Sequence, residues 1–189
     1  MVEADEQVLQ RWRDGDEAAF EELFLRHYRQ VFRVLFNLVG SREEAEDLAQ
    51  ETFIALHNQP PQHVDTSMAA WLCRVALNRG YNALRGARRA QQRLERMDLL
   101  PLPLDPQTEL LRVEEQGRVR AALAQLTERQ SDMLLLRYSG LSYAEIASAL
   151  DVAPGSVGTL LARAERAFLA AFDADHVVEH DGLAKAKAP

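Results

Sequence analysis

SYAEIASALDVAPGSVGTLLARAER, residues 142–166, is the stretch on which the fold turns. Ser142 and Glu145 form an S-x-x-E pair, in which each side chain can satisfy an orphan amide at the start of a helix. The helix that follows turns Ile146, Ala147 and Leu150 inward. Asp151 to Ala153 make a tight turn, and Pro154 opens a second helix with Val157, Leu160 and Leu161 inward. This is helix-turn-helix spacing: Ala147 is small enough for the helices to cross closely, and the second helix is the one such a motif lays in the major groove. An ordinary helical hairpin would share the apolar pattern, but the caps at both helix starts together with E-I-A-x-x-L-x-V-x-x-x-x-V favour duplex DNA. The first turn of the reading helix presents Gly155, Ser156, Gly158 and Thr159, with Arg163 and Arg166 further along. Ser and Thr can touch bases or phosphates and helix-terminal amides can hold a phosphate, yet none of these supplies the bidentate guanine contact of an arginine. Arg163 is the leading candidate for a DNA contact here, with a surface ion pair as its alternative.

Outward from this motif, apolar residues keep helical spacing almost throughout, and no alternating run of β-branched residues with hairpin turns appears. The fold class is all-α. Asp14-Gly15-Asp16 reads as a turn and cap, after which Phe20, Leu23, Phe24, His27, Tyr28, Val31, Leu35 and Leu38 recur at steps of three and four up to Gly40. Ser41 with Glu44 caps a helix to about His57, and NQPPQHVDT, residues 58–66, breaks it because paired prolines supply no amides. Thr66 or Ser67 caps the next helix, which runs to about Met97. LLPLPLDPQ then carries three prolines and closes a first module, 1–97; the linker is 98–106. Asp105-Pro106 opens a helix through about Gln125, Thr127 with Gln130 caps another over 128–138, and 143–150 is the first helix of the motif. The second module is therefore 107–172, its last helix ending near Phe172, and 173–189 reads as a disordered polar tail.

A formal charge of -7 and a pI near 5.3 look wrong for a nucleic-acid binder, since phosphate binding rests on cations displacing counterions. The average hides a pattern. Residues 1–25 hold eight acids against Arg11 and Arg13, and residues 40–56 hold five against Arg42 alone. Residues 71–97 reverse this, with Arg74, Arg79, Arg85, Arg88, Arg89, Arg93 and Arg96 against only Glu95. An acidic chain with one strongly basic helix suggests two partners of opposite charge. The composition, 47% hydrophobic and 27% charged, suits a folded protein with a real core. No apolar run approaches the roughly 20 residues that span a bilayer and the N-terminus is acidic, so no membrane insertion and a cytoplasmic location are expected. The single cysteine, Cys73, lies in an apolar stretch and reads as a core thiol rather than a reactive one.

In EEAEDLAQETFIAL, residues 43–56, Leu48, Thr52 and Ile54 or Ala55 face a core while Glu44, Asp47, Gln50 and Glu51 stay outward; a solvated acidic face is the plain explanation. Further on, Trp71, Leu72, Val75 and Ala76 form an apolar patch. A second face carries Arg74, Asn78, Tyr81, Arg85, Arg88 or Arg89, Gln92 and Arg96 at steps of three and four. Cations for phosphates, an aromatic ring and an amide able to read a base edge on one stripe are what a groove for single-stranded DNA needs. A basic surface helix with Tyr81 tucked into the core fits the same spacing, and residue type alone leaves the two readings level. The five histidines are scattered, no glycine-rich phosphate loop follows a strand, and no nucleophile has a nearby base, so an enzyme, a metal site and a cofactor are not expected.

AEDLAQETF, WLCRVALNRGYNALRGARR and LTERQSDMLLLRYSGLSYAEIASALDV, in that order and spacing, closely resemble region 2 and region 4 of the extracytoplasmic-function branch of the bacterial sigma family, over roughly residues 7–172. The resemblance implies an RNA polymerase sigma factor that directs promoter recognition and DNA melting. Its D-L-x-Q-E-x-F helix would dock on a basic coiled coil of the polymerase beta-prime clamp, making Asp47, Leu48, Gln50 and Glu51 core-polymerase contacts. Its W-L-x-x-x-A-x-N helix would read the -10 element as separated strand, with Arg74, Asn78 and Tyr81 near a flipped base and Arg85, Arg88 and Arg89 at the backbone. Region 4 would hold the -35 duplex through Ser156, Gly158, Thr159, Arg163 and Arg166, and would meet the polymerase beta flap. An anti-sigma factor is a further partner the resemblance implies. The sequence departs from the pattern where Asn82 replaces a frequent acid, where Gly80 enters a helix, and where S-V-G-T-L stands for a family pattern like T-V-K-S-R, leaving Gly158 and Leu160 at usually basic positions. A stand-alone helix-turn-helix regulator would account for residues 127–172 but leaves the acidic and basic helices of the first module without a purpose. A sigma-like helical interaction protein that binds a regulator but no promoter is the third reading.

Overall fold

A computed structural model describes residues 4–61, 67–96 and 110–185. Its elements, in chain order, are α1 (Asp5–Arg13), α2 (Glu17–Val39), α3 (Arg42–Asn58), α4 (Met68–Arg96), α5 (Leu110–Gln125), α6 (Glu128–Tyr138), α7 (Tyr143–Leu150), a 3-10 turn (Pro154–Ser156) and α8 (Val157–Lys185). No strand occurs among the described residues. The chain divides into two compact units, Met1–Thr108 and Glu109–Pro189. The linker at 98–106, the Asp105-Pro106 cap and the Thr66 cap fall outside the described residues.

In the first unit, helix starts follow local chemistry. The Asp16 carboxylate accepts from the amide of Ala18 at 3.1 Å and starts α2. Gly40, at φ 82°, takes the left-handed conformation that ends it, a position where a side chain would be strained. Ser41 Oγ accepts from the Glu44 amide at 3.3 Å and starts α3. α1 is a helix the sequence reading did not include. It begins at Ala4, whose amide donates to Gln7 Oε1, and lays Val8 and Leu9 into the core.

Leu23, Val31 and Leu35 of α2, Ala45, Leu48, Ala49, Phe53 and Leu56 of α3, and Met68, Leu72 and Ala76 of α4 close that core. Each fully buried leucine contributes about 1.5–3 kcal/mol relative to exposure. Trp12, Phe20, Phe24 and Tyr28 pack at its edge, with the Phe24 and Phe53 rings edge to face at 4.8 Å. Cys73 is buried, as a core thiol should be.

Gly80 has a structural use. A Cβ there would sit 2.5 Å from Leu38 Cδ2 and 3.3 Å from Leu35 Cδ2, so its absence lets α4 lie close on α2. The roughly 1 kcal/mol that glycine costs in a helix interior is offset by that approach.

In the second unit both capping boxes form. Thr127 N–H donates to Gln130 Oε1 at 3.1 Å while Thr127 Oγ1 accepts from the Gln130 amide at 3.3 Å. Ser142 and Glu145 do the same at 2.8 Å and 3.3 Å. Met133 and Leu136 of α6, Leu141 in the connection that follows it, Ile146 and Ala147 of α7, and Val157, Leu161 and Ala164 of α8 are buried. Leu150 and Leu160, expected inward, are half-buried. The turn between α7 and α8 rests on Asp151, at φ 51°, and on Val152 N–H donating to Ala147 O at 3.0 Å. α8 does not stop near Phe172: it is helical to Lys185, so most of the 173–189 segment expected as a disordered tail carries helix. No proline interrupts DADHVVEHDGLAK, and once a helix is nucleated a single glycine such as Gly182 does not end it.

Candidate nucleic-acid interface

Three surfaces carry the expected site residues, two on the first unit and one on the second. On α3, buried positions Ala45, Leu48, Ala49, Thr52, Phe53 and Leu56 follow the three-and-four rhythm of a helix packed on one side. Asp47, Gln50 and Glu51 are exposed on the other side. Leu48 faces the core, as its spacing predicts: it is 8% exposed, so it holds the acidic face in place from beneath. Of Ile54 or Ala55, the alternatives expected inward, Ala55 is half-buried, while Ile54 is 57% exposed and extends that outer face with an apolar side chain.

On α4, the buried residues Leu72, Cys73, Ala76, Leu77 and Gly80 define the inner side. At about 100° per residue, Arg74, Asn78, Tyr81, Arg85, Arg88, Arg89 and Gln92 fall within an arc of roughly 100° on the opposite side. Arg74, Asn78, Arg85, Arg88, Arg89 and Gln92 are exposed and Tyr81 is half-buried. The arginine-bearing stripe is thus displayed rather than packed inside its own unit, and Tyr81 lies between the two readings open to it. From Arg85 to Arg93 every residue is exposed, so this end of α4 runs past the core it springs from. Its guanidinium groups are partly ordered on the helix itself: Arg85 donates to Asn82 Oδ1 at 3.0 Å, and Arg89 Nε donates to Arg85 O at 3.2 Å.

The two faces of this unit are joined by a pair that spacing did not reveal. Arg79 Nη1 donates to Glu51 Oε2 at 2.7 Å, linking the outer side of α3 to the flank of α4. Residues 28 apart in the chain offer no local signal of such a pair. The structure also adds an acidic clamp on the N-terminal helix: Asp5 Oδ1 accepts from Arg26 Nη1 at 2.6 Å, and Asp5 Oδ2 lies 2.8 Å from Nε2 of the buried His27. Burial pushes the Asp5 carboxyl up, but the hydrogen bonds and charges of His27 and Arg26 together outweigh it and hold the carboxyl below its ordinary 3.8.

On the second unit, Ser156 at the end of the 3-10 turn and Gly158, Thr159, Arg163 and Arg166 of α8 are all exposed. Arg163 has no ion partner among the described residues, while Arg166 Nε donates to Ala162 O at 3.1 Å. Buried Val157, Leu161 and Ala164 fix the rotation of α8 that turns these residues outward. Tyr143, at the start of α7, is also exposed beside this surface, and the guanidinium of Arg137 lies 5.5 Å from its ring centre. Neither was singled out by the sequence, because a lone tyrosine after a cap carries no signal of what it faces.

Among the described residues no group of three or more His, Cys, Asp or Glu is placed to hold a metal ion, and no helix is long and apolar enough to cross a membrane.

Comparison with known proteins bears on each unit. Residues 23–90 match the family model described as Sigma-70 region 2, and residues 116–168 match that described as Sigma-70, region 4. The chain is similar to the RNA polymerase sigma-H factor of Pseudomonas aeruginosa, 30% identical over 177 residues that cover 87% of this chain and 92% of that protein. It is also similar to the ECF RNA polymerase sigma factor SigM of Mycobacterium tuberculosis, 31% identical over 163 residues covering 85% and 81%. Among solved structures, CnrH in complex with the cytosolic domain of CnrY aligns with a TM-score of 0.67 at 23% identity, covering 92% of this chain and 99% of that one. The sigma factor RpoE from Bartonella quintana, in complex with the anti-sigma factor NepR, aligns with a TM-score of 0.56 at 22% identity over 82% and 98%. At these identities the two structures speak for the shared fold.

Proposed function

The chain belongs to the extracytoplasmic-function sigma factors of bacterial RNA polymerase, which act in transcription initiation, and from that premise we propose how its three surfaces divide the work. The acidic face of α3, through Asp47, Gln50 and Glu51, docks on a basic surface of the polymerase clamp; Leu48 supports this face from the core. The stripe on α4 then meets promoter DNA at the -10 element as an unpaired strand. Asn78 can read a base edge, Arg74 and Tyr81 flank it, and Arg85, Arg88 and Arg89 lie where a strand's phosphates would run. Unstacking a base costs a few kcal/mol, roughly what a base held by stacking and edge hydrogen bonds returns. Reading and strand opening are therefore one event. The second unit takes the -35 duplex on the start of α8, through Ser156, Gly158, Thr159, Arg163 and Arg166, and touches the polymerase flap.

The observation that carries this reading is the display of the α4 stripe: its arginines and Asn78 lie on the outer side of a helix whose inner side is filled by Leu72, Ala76 and Gly80. A stand-alone duplex-binding regulator gives these residues no task. On this reading the protein is an adaptor and not an enzyme, it needs no cofactor, and it works in the cytoplasm where polymerase and promoter meet. An anti-sigma factor is a fitting partner, since the aligned RpoE structure holds a sigma factor with the anti-sigma factor NepR.

The test is promoter-dependent transcription by core polymerase supplemented with the full chain. Start-site-specific transcripts and open complexes on genomic promoter fragments are expected. If no fragment opens, the assignment of these surfaces is wrong.

A further inference from the structure

The reading helix lacks a cation where it should first meet the groove. Ser156, Gly158 and Thr159 are exposed on its opening turns, and the first arginine, Arg163, comes a full turn later. What stands beside Gly158 is a ring from another helix. A Cβ at Gly158 would lie 3.7 Å from Tyr143 Cε2, an ordinary contact distance with no other neighbour within 4 Å. Tyr143 is 48% exposed, so the ring rests its edge near the glycine and keeps much of its surface open. Arg137, exposed at the end of α6, holds its guanidinium 5.5 Å from the centre of the same ring, within the range of a cation–π contact. Three elements of the second unit therefore converge: the last turn of α6, the first residue of α7 and the first turn of α8.

We propose that Tyr143 is a specificity-determining residue of this chain, its ring reaching past Gly158 to take the C5-methyl group of a thymine in the major groove of the -35 duplex while Arg137 holds the neighbouring phosphate. The proposal rests on the reading of the second unit as the -35 module. The chemistry follows from what each group offers. A ring edge is apolar and matches the one apolar group that the major groove displays, the thymine methyl. A guanidinium held at the ring is a point of positive charge with donors to spare, and phosphate contacts orient a protein on the duplex without reading sequence. Gly158 leaves the groove side of the ring uncovered, since no side chain at that position stands between the ring and the duplex. Where the opening turns of α8 carry no cation, the chain thus offers a thymine-reading ring carried by α7.

Holoenzyme assembled from core polymerase and the full chain is given a promoter library randomised through the -35 duplex, and the selected thymine is then replaced by uracil, which removes only the methyl group. With the unaltered chain, the uracil promoter should open roughly 5-fold or more less efficiently. Tyr143→Ala should lose both the thymine preference and the penalty for uracil, while Tyr143→Phe keeps both. Arg137→Ala should weaken opening evenly across sequences and lower the salt slope by about 1. Gly158→Arg should shift the selected base toward guanine. Melting of each variant, followed by circular dichroism, shows that the unit remains folded, as expected for exposed positions. An equal uracil penalty with Tyr143 and with Tyr143→Ala overturns the proposal while leaving the -35 reading intact. Selection of no base anywhere in the -35 duplex by the unaltered chain overturns both.

Discussion

Arg79 donates from Nη1 to Glu51 Oε2 across 2.7 Å, so the helix that displays the basic stripe is tied to the helix that displays the acidic face. Glu51 is more exposed than Arg79, and Arg79 Nε is buried without a hydrogen-bond partner. A pair this open to solvent contributes only about 0–1 kcal/mol to stability. Its consequence is geometric: a cation approaching the carboxylates of α3 meets Glu51 already engaged, whereas Asp47 has no described partner. Asp47 is the freer contact of the two.

Asp47→Lys should accordingly weaken assembly with core polymerase by roughly tenfold or more, equivalent to about 1.4 kcal/mol per factor of ten. Asp47 is exposed, so the melting temperature should stay close to that of the unaltered protein. A competition assay for core polymerase, with circular dichroism alongside, reads both quantities. Normal assembly would remove α3 from the interface.

Arg88→Ala combined with Arg89→Ala tests the stripe. Both side chains are exposed beyond the core, and Arg89 Nε donates to Arg85 O on its own helix. If each meets one phosphate, the slope of log affinity against log salt should fall by roughly 1.4 to 1.8 across promoter sequences. Holoenzyme binding to a preopened promoter, titrated with salt, gives that slope directly. No change would mean that the phosphates run elsewhere.

Helix starts were legible wherever a polar cap announces them: Asp16, Ser41, Thr127 and Ser142 all accept from an amide in the first turn that follows. α1 was missed because Ala4 offers no side-chain cap and because only Val8 and Leu9 of its nine residues are buried. Ile54 and Ala55 stood as alternatives for a different reason. Apolar type suits both to the core, but the phase set by Leu48, Thr52, Phe53 and Leu56 puts position 54 on the outside and leaves Ala55 half-buried. Residue type and helical phase disagreed there, and packing follows phase. The site residues were legible as faces, since periodicity decides which residues share a side. Contacts between elements, such as Arg79 with Glu51 or Tyr143 beside Gly158, depend on how helices cross and leave no trace in spacing.

Gly80 gives a test of that crossing. Alanine gains about 1 kcal/mol of helix propensity over glycine, but its Cβ would meet Leu38 Cδ2 at 2.5 Å. Leu38 is half-buried and can swing its methyl aside, whereas Leu35, at 3.3 Å, is fully buried and can give little. Gly80→Ala should therefore be near neutral. Gly80→Val, with two more methyl groups in the same gap, should cost about 1–3 kcal/mol in urea unfolding by pushing α4 off α2. A neutral valine would show that the helices separate without loss.

The Asp5 clamp makes a pH prediction whose sign can be worked out. The folded carboxyl is held below its ordinary 3.8 by His27 and Arg26, against the burial that pushes it up. The unfolded chain thus takes up a proton at a higher pH than the folded one, and the clamp's contribution is complete above the unfolded value. That contribution drains away as pH falls through the folded value. The groups facing Asp5 are His27 and Arg26, and Arg26 in turn pairs with Glu22. Asp5→Asn should destabilise the first unit by about 1–2 kcal/mol at neutral pH, since hydrogen bonds to a charged group are lost. The gap between the two proteins, measured by urea unfolding, should hold down to about pH 5 and close as the pH drops below 3.8. His27→Gln, measured in parallel, isolates the share of the imidazole. A gap that persists undiminished at the most acid pH would mean that α1 is held by the packing of Val8 and Leu9 alone, with the Asp5 charge contributing nothing.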